Sequence, residues 1–189
     1  VPNEEELFGK GISYCAICDG SFYKDKPVCV IGDANSAISY TLLLSKYCPI
    51  VHVCSILPDL RGERSMIEKV KSLDNVVIHY NVKIDKIVGE NHLESLIFKR
   101  LEDDTDFKLD VDGLFIAIGQ IPDNEAFSNV CDLEKGYILV NESMETKTKG
   151  LYAVGDCIKK EVRQVTTAIA DGSIAGLNVS SYLVGKTNN

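Results

Sequence analysis

Val28-Cys29-Val30-Ile31 is a continuous apolar run that stops at Gly32, and together with residues 32–47 it restricts the fold more than any other stretch. Four apolar residues without alternation suit a strand buried on both faces, as in a parallel sheet. Gly32-Asp33-Ala34-Asn35-Ser36-Ala37 then leads into residues 38–47, which are apolar along one helical face. A strand, a tight turn and a helix N-terminus make the opening of a dinucleotide-binding unit, because the free N–H groups at the helix start suit a phosphate. Residues 50–54 read as a second strand, 64–73 as a second helix and 75–80 as a third strand, a β-α-β-α-β order. From Val82 the pattern changes to alternating strands over 83–88, 93–101 and 107–111, an antiparallel layer. Residues 114–119 form another buried strand, 136–140 a short one, and 151–156 a strand ending in Gly155-Asp156. Small and apolar residues at helical spacing, among them Ala168, Ala170, Ile174, Ala175 and Leu177, predict a closely packed helix over 165–182. The tail from Gly185 is expected to fray, and residues 1–11, polar and acidic, read as a linker or surface loop. The fold class is therefore α/β.

Chemistry concentrates in Cys15-Ala16-Ile17-Cys18-Asp19-Gly20. Two thiols three positions apart can close a small disulfide ring, and the free N–H groups of a turn favour a thiolate, so the pair can cycle between dithiol and disulfide. The acid behind the second sulfur adds to the signal, because a thiolate leaving a mixed disulfide needs a proton. The same spacing matches half a zinc site or a short structural disulfide. A closed zinc site needs a second ligand pair, yet Cys29, Cys48, Cys54, Cys131 and Cys157 stand singly and His52, His79 and His92 form no paired motif, so no metal is expected. A structural bridge would enclose too short a loop to stabilise much. Redox cycling is the favoured reading, with Cys15, Cys18 and Asp19 as its residues.

A net charge of −8 argues against nucleic acid and anionic membranes as partners. No apolar run reaches membrane-spanning length or sits behind a basic leader, and the expected compartment is the cytoplasm with most thiols reduced. The five lone cysteines are expected to be small buried hydrophobes.

The succession of Gly11-Ile12-Ser13-Tyr14-Cys15-Ala16-Ile17-Cys18-Asp19-Gly20, the Rossmann-type opening, Ala117-Ile118-Gly119-Gln120-Ile121-Pro122-Asp123-Asn124, and Tyr152-Ala153-Val154-Gly155-Asp156 followed by Arg163-Gln164 resembles low-molecular-weight thioredoxin reductase. The resemblance covers nearly the whole chain. It implies that Cys15 exchanges with the partner disulfide, that Cys18 faces a flavin, and that Asp19 is the acid/base for the flavin-side thiolate. It further implies that the carboxylate of Gly155-Asp156 bonds the ribityl chain of FAD, and that Arg163, Gln164 and Val165 border the isoalloxazine ring and pyrophosphate. The implied activity is flavin-dependent reduction of thioredoxin or a thioredoxin-like protein, by a homodimer when full length. The expected domains are residues 1–114, a Rossmann-like three-layer pyridine-nucleotide-type domain carrying the dithiol, and 115–189, the C-terminal part of an FAD-binding Rossmann domain. The family's N-terminal FAD-binding unit has no counterpart before Cys15, so the chain reads as a reductase lacking that segment.

The nucleotide site departs from the family pattern. Gly32, Asn35, Ser36 and Ala37 remain as a residual site, but Ala34 stands where a second glycine lets backbone approach pyrophosphate, and Asp33 adds negative charge beside it. Ser55-Ile56-Leu57 replaces the His-Arg-Arg whose cations hold the NADPH 2′-phosphate, leaving Arg61 as the matching arginine. Losing two charge-assisted contacts to a phosphate costs on the order of 3–6 kcal/mol, which disfavours NADPH as the donor. No acid ends the second strand to suit NAD. A ferredoxin-dependent flavin thioredoxin reductase is the favoured type. The alternatives are an NADPH enzyme with a degenerate site and a non-catalytic binding domain of the same fold.

Overall fold

The computed structural model describes residues 3–187 and contains two compact units, one extending to Gly119 and the other starting at Gln120. In the first unit the chain runs β1 (Ile12–Ser13), α1 (Ala16–Asp19), a 3-10 turn (Gly20–Tyr23), β2 (Val28–Ile31), α2 (Asn35–Leu44), β3 (Val51–Cys54), α3 (Arg64–Lys71), β4 (Val76–His79), β5 (Val82–Gly89), β6 (Leu93–Arg100), β7 (Asp106–Asp110) and β8 (Gly113–Ile116). Five strands make a parallel sheet in the order β1-β8-β2-β3-β4. A second sheet, β5-β6-β7, is antiparallel. β8 lies wholly inside this unit, paired with β2 from Gly113 to Ile116.

The unbroken apolar character of β2 has a direct cause. Val28 and Val30 face a layer made with α2 and α3, where Ala37, Ile38, Leu44, Val51, Val53, Val70 and Phe115 are all buried. Cys29 faces the opposite layer, with Cys54, Leu114, Ile87, Leu93, Leu96 and Phe98. The parallel sheet is thus the middle of three layers, which is what a strand with no exposed face requires. Residues 4–11 are not a bare linker. Leu7 is buried in the second layer, and its carbonyl accepts from the backbone N–H of Lys10 and Ile12.

The second unit contains a 3-10 turn (Glu125–Phe127), a two-residue hairpin of β9 (Leu133–Glu134) and β10 (Tyr137–Ile138), a 3-10 turn (Gly155–Cys157) and α4 (Val165–Thr187). The strand expected over 151–156 is reduced to one bridge between Tyr152 and Glu145. Gly155 ends it by taking φ +80°, a left-handed conformation that a strand cannot continue through. The helix runs past Gly185 to Thr187 instead of fraying, while Val1, Pro2, Asn188 and Asn189 lie outside the described residues. Close packing holds for one side of α4, where Asp171 and Ala175 are buried. Val165, Ile169 and Leu177, at helical spacing, are exposed.

Candidate active site

Cys15 and Cys18 form a disulfide at the start of α1, with Cα atoms 5.3 Å apart. Cys15 is the N-cap of this single turn, and its Sγ accepts the N–H of Cys18 at 3.2 Å. That hydrogen bond would favour a thiolate on Cys15 once the pair is reduced. Cys18 is the more exposed of the two. Asp19 is half-buried one residue further on, where Ser13 Oγ donates to its Oδ2 at 2.6 Å. Ser13 itself is 3% exposed at the end of β1, so the parallel sheet fixes the hydroxyl that fixes the carboxylate. The Cys15 N–H also bonds Ser13 Oγ, at 3.0 Å. Sulfur pair, acid and orienting hydroxyl therefore share one rigid connection between β1 and α1.

The turn after β2 brings Gly32, Asn35, Ser36, Ala37 and Arg61 together. Gly32 has φ +147°, and a Cβ there would lie 2.5 Å from the Ala117 carbonyl oxygen, so the residue is required by close packing of the turn on β8's end. Ala37 is fully buried under the same turn. The Asn35 side-chain oxygen accepts the Glu63 N–H at 2.9 Å, and the Arg61 N–H bonds the Asp33 carbonyl at 2.6 Å in a bridge that pairs Arg61 with Ala34. Ser36 and Arg61 are exposed. Segment 61–63 thus lies against the start of α2, with Asn35 already engaged by the chain itself.

In the second unit, Gly155, Asp156, Arg163 and Gln164 are gathered at the start of α4, of which Val165 is the first residue. The Arg163 guanidinium stands 3.9 Å from the centre of the Tyr137 ring, and its Nε donates to the Asp156 carbonyl at 3.3 Å. A cleft of about 350 Å³ beside them is lined by residues 120–124, Tyr137, Asp156 and Cys157. Asp156 is exposed here. Val165 is 76% exposed and makes no part of this cluster's packing.

Sequence reasoning missed three groupings. Asp171 and Lys160 form an ion pair, and the lone acid in the otherwise uncharged stretch 165–185 was the available signal. His52 Nδ1 and His79 Nε2 lie 3.0 Å apart on β3 and β4, adjacent strands whose pairing no sequence motif records. Cys29 and Cys54 have sulfurs 3.7 Å apart in the core, where burial pushes the Cys29 thiol well above its ordinary range and makes it unreactive. Cys48 and Cys131 are buried as expected, whereas Cys157 is half-exposed at the cleft. Among the described residues no group of three or more His, Cys, Asp or Glu side chains is placed to hold a metal ion.

The family of pyridine nucleotide-disulphide oxidoreductases matches residues 1–172. The chain is 39% identical over 185 residues to a thioredoxin reductase of Mycoplasma pneumoniae, covering 97% of this chain and 59% of that protein. It is 36% identical over 187 residues to a 34.2 kDa protein of the rubredoxin operon of Clostridium pasteurianum, covering 98% of this chain and 61% of that protein. Its structure is similar to that of thioredoxin reductase from Streptococcus pyogenes, with a TM-score of 0.91 at 29% identity over 98% of this chain and 61% of that one. A ferredoxin-flavin thioredoxin reductase from Clostridium acetobutylicum is also similar, with a TM-score of 0.53 at 28% identity over 97% of this chain and 58% of that one. The chain spans about 60% of the length of these relatives. On a match of this extent, over the fold and the dithiol alike, the chain belongs to the pyridine nucleotide-disulphide oxidoreductase family.

Proposed function

We propose that the chain is the dithiol-bearing part of a flavin-dependent disulfide reductase that acts on thioredoxin or a thioredoxin-like protein and takes electrons from a donor other than NADPH, such as reduced ferredoxin. The observation that carries this reading is the Cys15–Cys18 disulfide with Asp19 held by Ser13 beside it. In this reading the first unit is the carrier of the dithiol and the second supplies part of an FAD site, within a homodimer; the boundary expected at 114/115 would cut β8 in two and moves to 119/120. The residues of the second unit fit such a group in chemistry: an exposed carboxylate at Asp156, a guanidinium held over the Tyr137 ring, and a cleft large enough for part of the cofactor. Asp156 would bond the polyol chain, and Arg163, Gln164 and Val165 would border the ring and pyrophosphate.

When bound, FAD would supply the electron pair that opens the Cys15–Cys18 disulfide. The Cys15 thiolate then attacks one sulfur of the partner disulfide, and the partner's second sulfur leaves and takes up a proton. Cys18 gives its proton to Asp19 and attacks Cys15 Sγ in turn, so that the disulfide re-forms and the partner's first sulfur leaves as a thiolate that takes up a proton from water. The two electrons of the dithiol end on the partner. Asp19 returns its proton to Cys18 in the next cycle.

Arg61, paired with Ala34 at the start of α2, favours the alternative of an NADPH enzyme with a degenerate site. The test uses the flavin-loaded full-length protein without oxygen, to which NADPH and reduced ferredoxin are added separately while the visible flavin band is followed. Bleaching by ferredoxin alone supports the proposed donor, and rapid bleaching by NADPH overturns it. A Cys18→Ser variant that still reduces thioredoxin would overturn the reductase reading, and a protein that takes up no flavin would point to a binding domain.

A further inference from the structure

Gly155 precedes Asp156 in the left-handed region, at φ +80°, and the N–H of that glycine points inward. It donates to Asp171 Oδ2 at 3.0 Å, and the same oxygen accepts from Lys160 Nζ at 2.6 Å. The two ionic side chains are only 14% and 13% exposed, and Asp171 lies one and a half helical turns inside α4. Lys160 Nζ also reaches Thr167 Oγ1 at 3.3 Å, and that oxygen accepts the Gln164 N–H at 3.2 Å at the helix start. The Lys160 ammonium holds the Asp171 carboxyl below the ordinary carboxylate range, so the acceptor facing Gly155 is charged. Taking two opposite charges out of water is costly and seldom stabilises a fold more than apolar packing would. The hydrogen bond to Gly155 gives this pair a geometric role besides any contribution to stability. On the other side of the turn, Arg163 Nε bonds the Asp156 carbonyl. The backbone of Gly155-Asp156 is therefore clamped from both ends, while the Asp156 carboxylate makes no hydrogen bond among the described residues.

We propose that Lys160 and Asp171 are positioning residues for the flavin contact: Asp171 sets the Gly155 peptide so that the Asp156 carboxylate stands ready for the polyol chain, and Lys160 keeps Asp171 charged and aimed. This inference rests on the reading of Gly155-Asp156 as a flavin contact. A carboxylate carried on a turn is only as well placed as the peptide beneath it, and displacement by about 1 Å is enough to lose a hydrogen bond.

The experiment measures FAD dissociation by flavin fluorescence, the visible spectrum of the bound flavin, and the melting temperature, in the full-length protein. Asp171→Ala is expected to raise the FAD Kd roughly tenfold or more and to move the visible band toward that of free flavin. Asp171→Asn keeps an oxygen acceptor for Gly155 and is expected to stay within about threefold of wild type. The charge-swapped K160D/D171K variant restores the ion pair but offers no acceptor to Gly155. It is expected to regain melting temperature over Asp171→Ala while leaving the Kd raised, which a purely structural ion pair would not do. A wild-type Kd and spectrum in the swapped variant overturn the positioning role, and this arm decides the matter if Asp171→Ala fails to fold. If the wild-type protein binds FAD but Asp156→Ala binds it equally well, the underlying reading of the turn is overturned instead.

Discussion

Ser13 Oγ and Asp19 Oδ2 are 2.6 Å apart, joining the end of β1 to the last residue of the redox turn. The serine side chain is buried and bonded on its other side by the Cys15 N–H, so the carboxylate is held in one place relative to both sulfurs. In the proposed cycle Asp19→Asn keeps the size and the hydrogen bond but cannot take a proton. It should lower the rate of thioredoxin reduction on the order of 10²-fold, from the usual range for general acid–base groups. Ser13→Ala keeps the acid but loosens it and should cost less, roughly tenfold. Single-turnover reduction of thioredoxin by the prereduced protein measures both, and equal rates in wild type and Asp19→Asn would remove the acid/base role.

Much of this arrangement was legible in the sequence, and the reasons are local. The doubly buried β2, the β-α-β-α-β order and the CxxCD turn all announce themselves within a few residues, because strand burial and cysteine spacing leave short-range signatures. What depended on register was hidden. His52 meets His79 only because β3 and β4 pair in parallel, and Asp171 meets Gly155 only because α4 folds back on the turn. Residues 151–156 read as a strand from their apolar content, but the left-handed Gly155 and a single bridge at Tyr152 leave no ladder to extend. Engagement of Asn35 by the Glu63 N–H was hidden for the same reason, since it joins positions 28 residues apart.

The histidine pair predicts an acid-sensitive fold. Burial, reinforced by His52 and Arg100, lowers the His79 pKa from 6.5 to about 4, and burial lowers His52 as well. Folded His79 stays neutral between those values while the unfolded chain takes up a proton near 6.5, so there the unfolded state binds more protons and stability rises with pH. The contribution is fully present above pH 6.5 and is lost as pH falls through about 4. Discounted for rings that are only half-buried, the loss should be about 1–2 kcal/mol. Urea unfolding at a series of pH values measures it. His79→Gln should flatten the dependence in this window, and an unchanged slope would refute the assignment.

Restoring cations at the end of β3 should restore some NADPH binding. Ile56 is 56% exposed and Leu57 half-buried, whereas Ser55 is 1% exposed and has no room for a long side chain. The double variant I56R/L57R should therefore tighten NADPH roughly tenfold or more, at up to about 1.5–3 kcal/mol per charge-assisted contact. Titration of the protein with NADPH, followed by flavin fluorescence, reads the change. No gain would mean that Asp33, Ala34 and the 61–63 segment against α2 set the limit.

Apolar side chains around the dithiol should govern the choice between protein and small-molecule disulfides. Ile17 is 70% exposed between the two cysteines, and Phe22 is 74% exposed on the 3-10 turn after α1. Phe8 and Tyr14 stack at 5.2 Å and are also exposed. Large apolar side chains held on short rigid turns lose little freedom on docking and make efficient contacts with a partner. A protein disulfide approaching Cys15 must bring its surrounding surface against them, whereas a small aromatic disulfide need touch only the sulfur. Ile17→Ser and Phe22→Ser should each raise the KM for thioredoxin about tenfold, while the rate with the small disulfide stays within about twofold. Because both residues are exposed, the melting temperature should hardly move. Equal losses with both substrates would show that these side chains act on the dithiol turn itself and not on the docked protein.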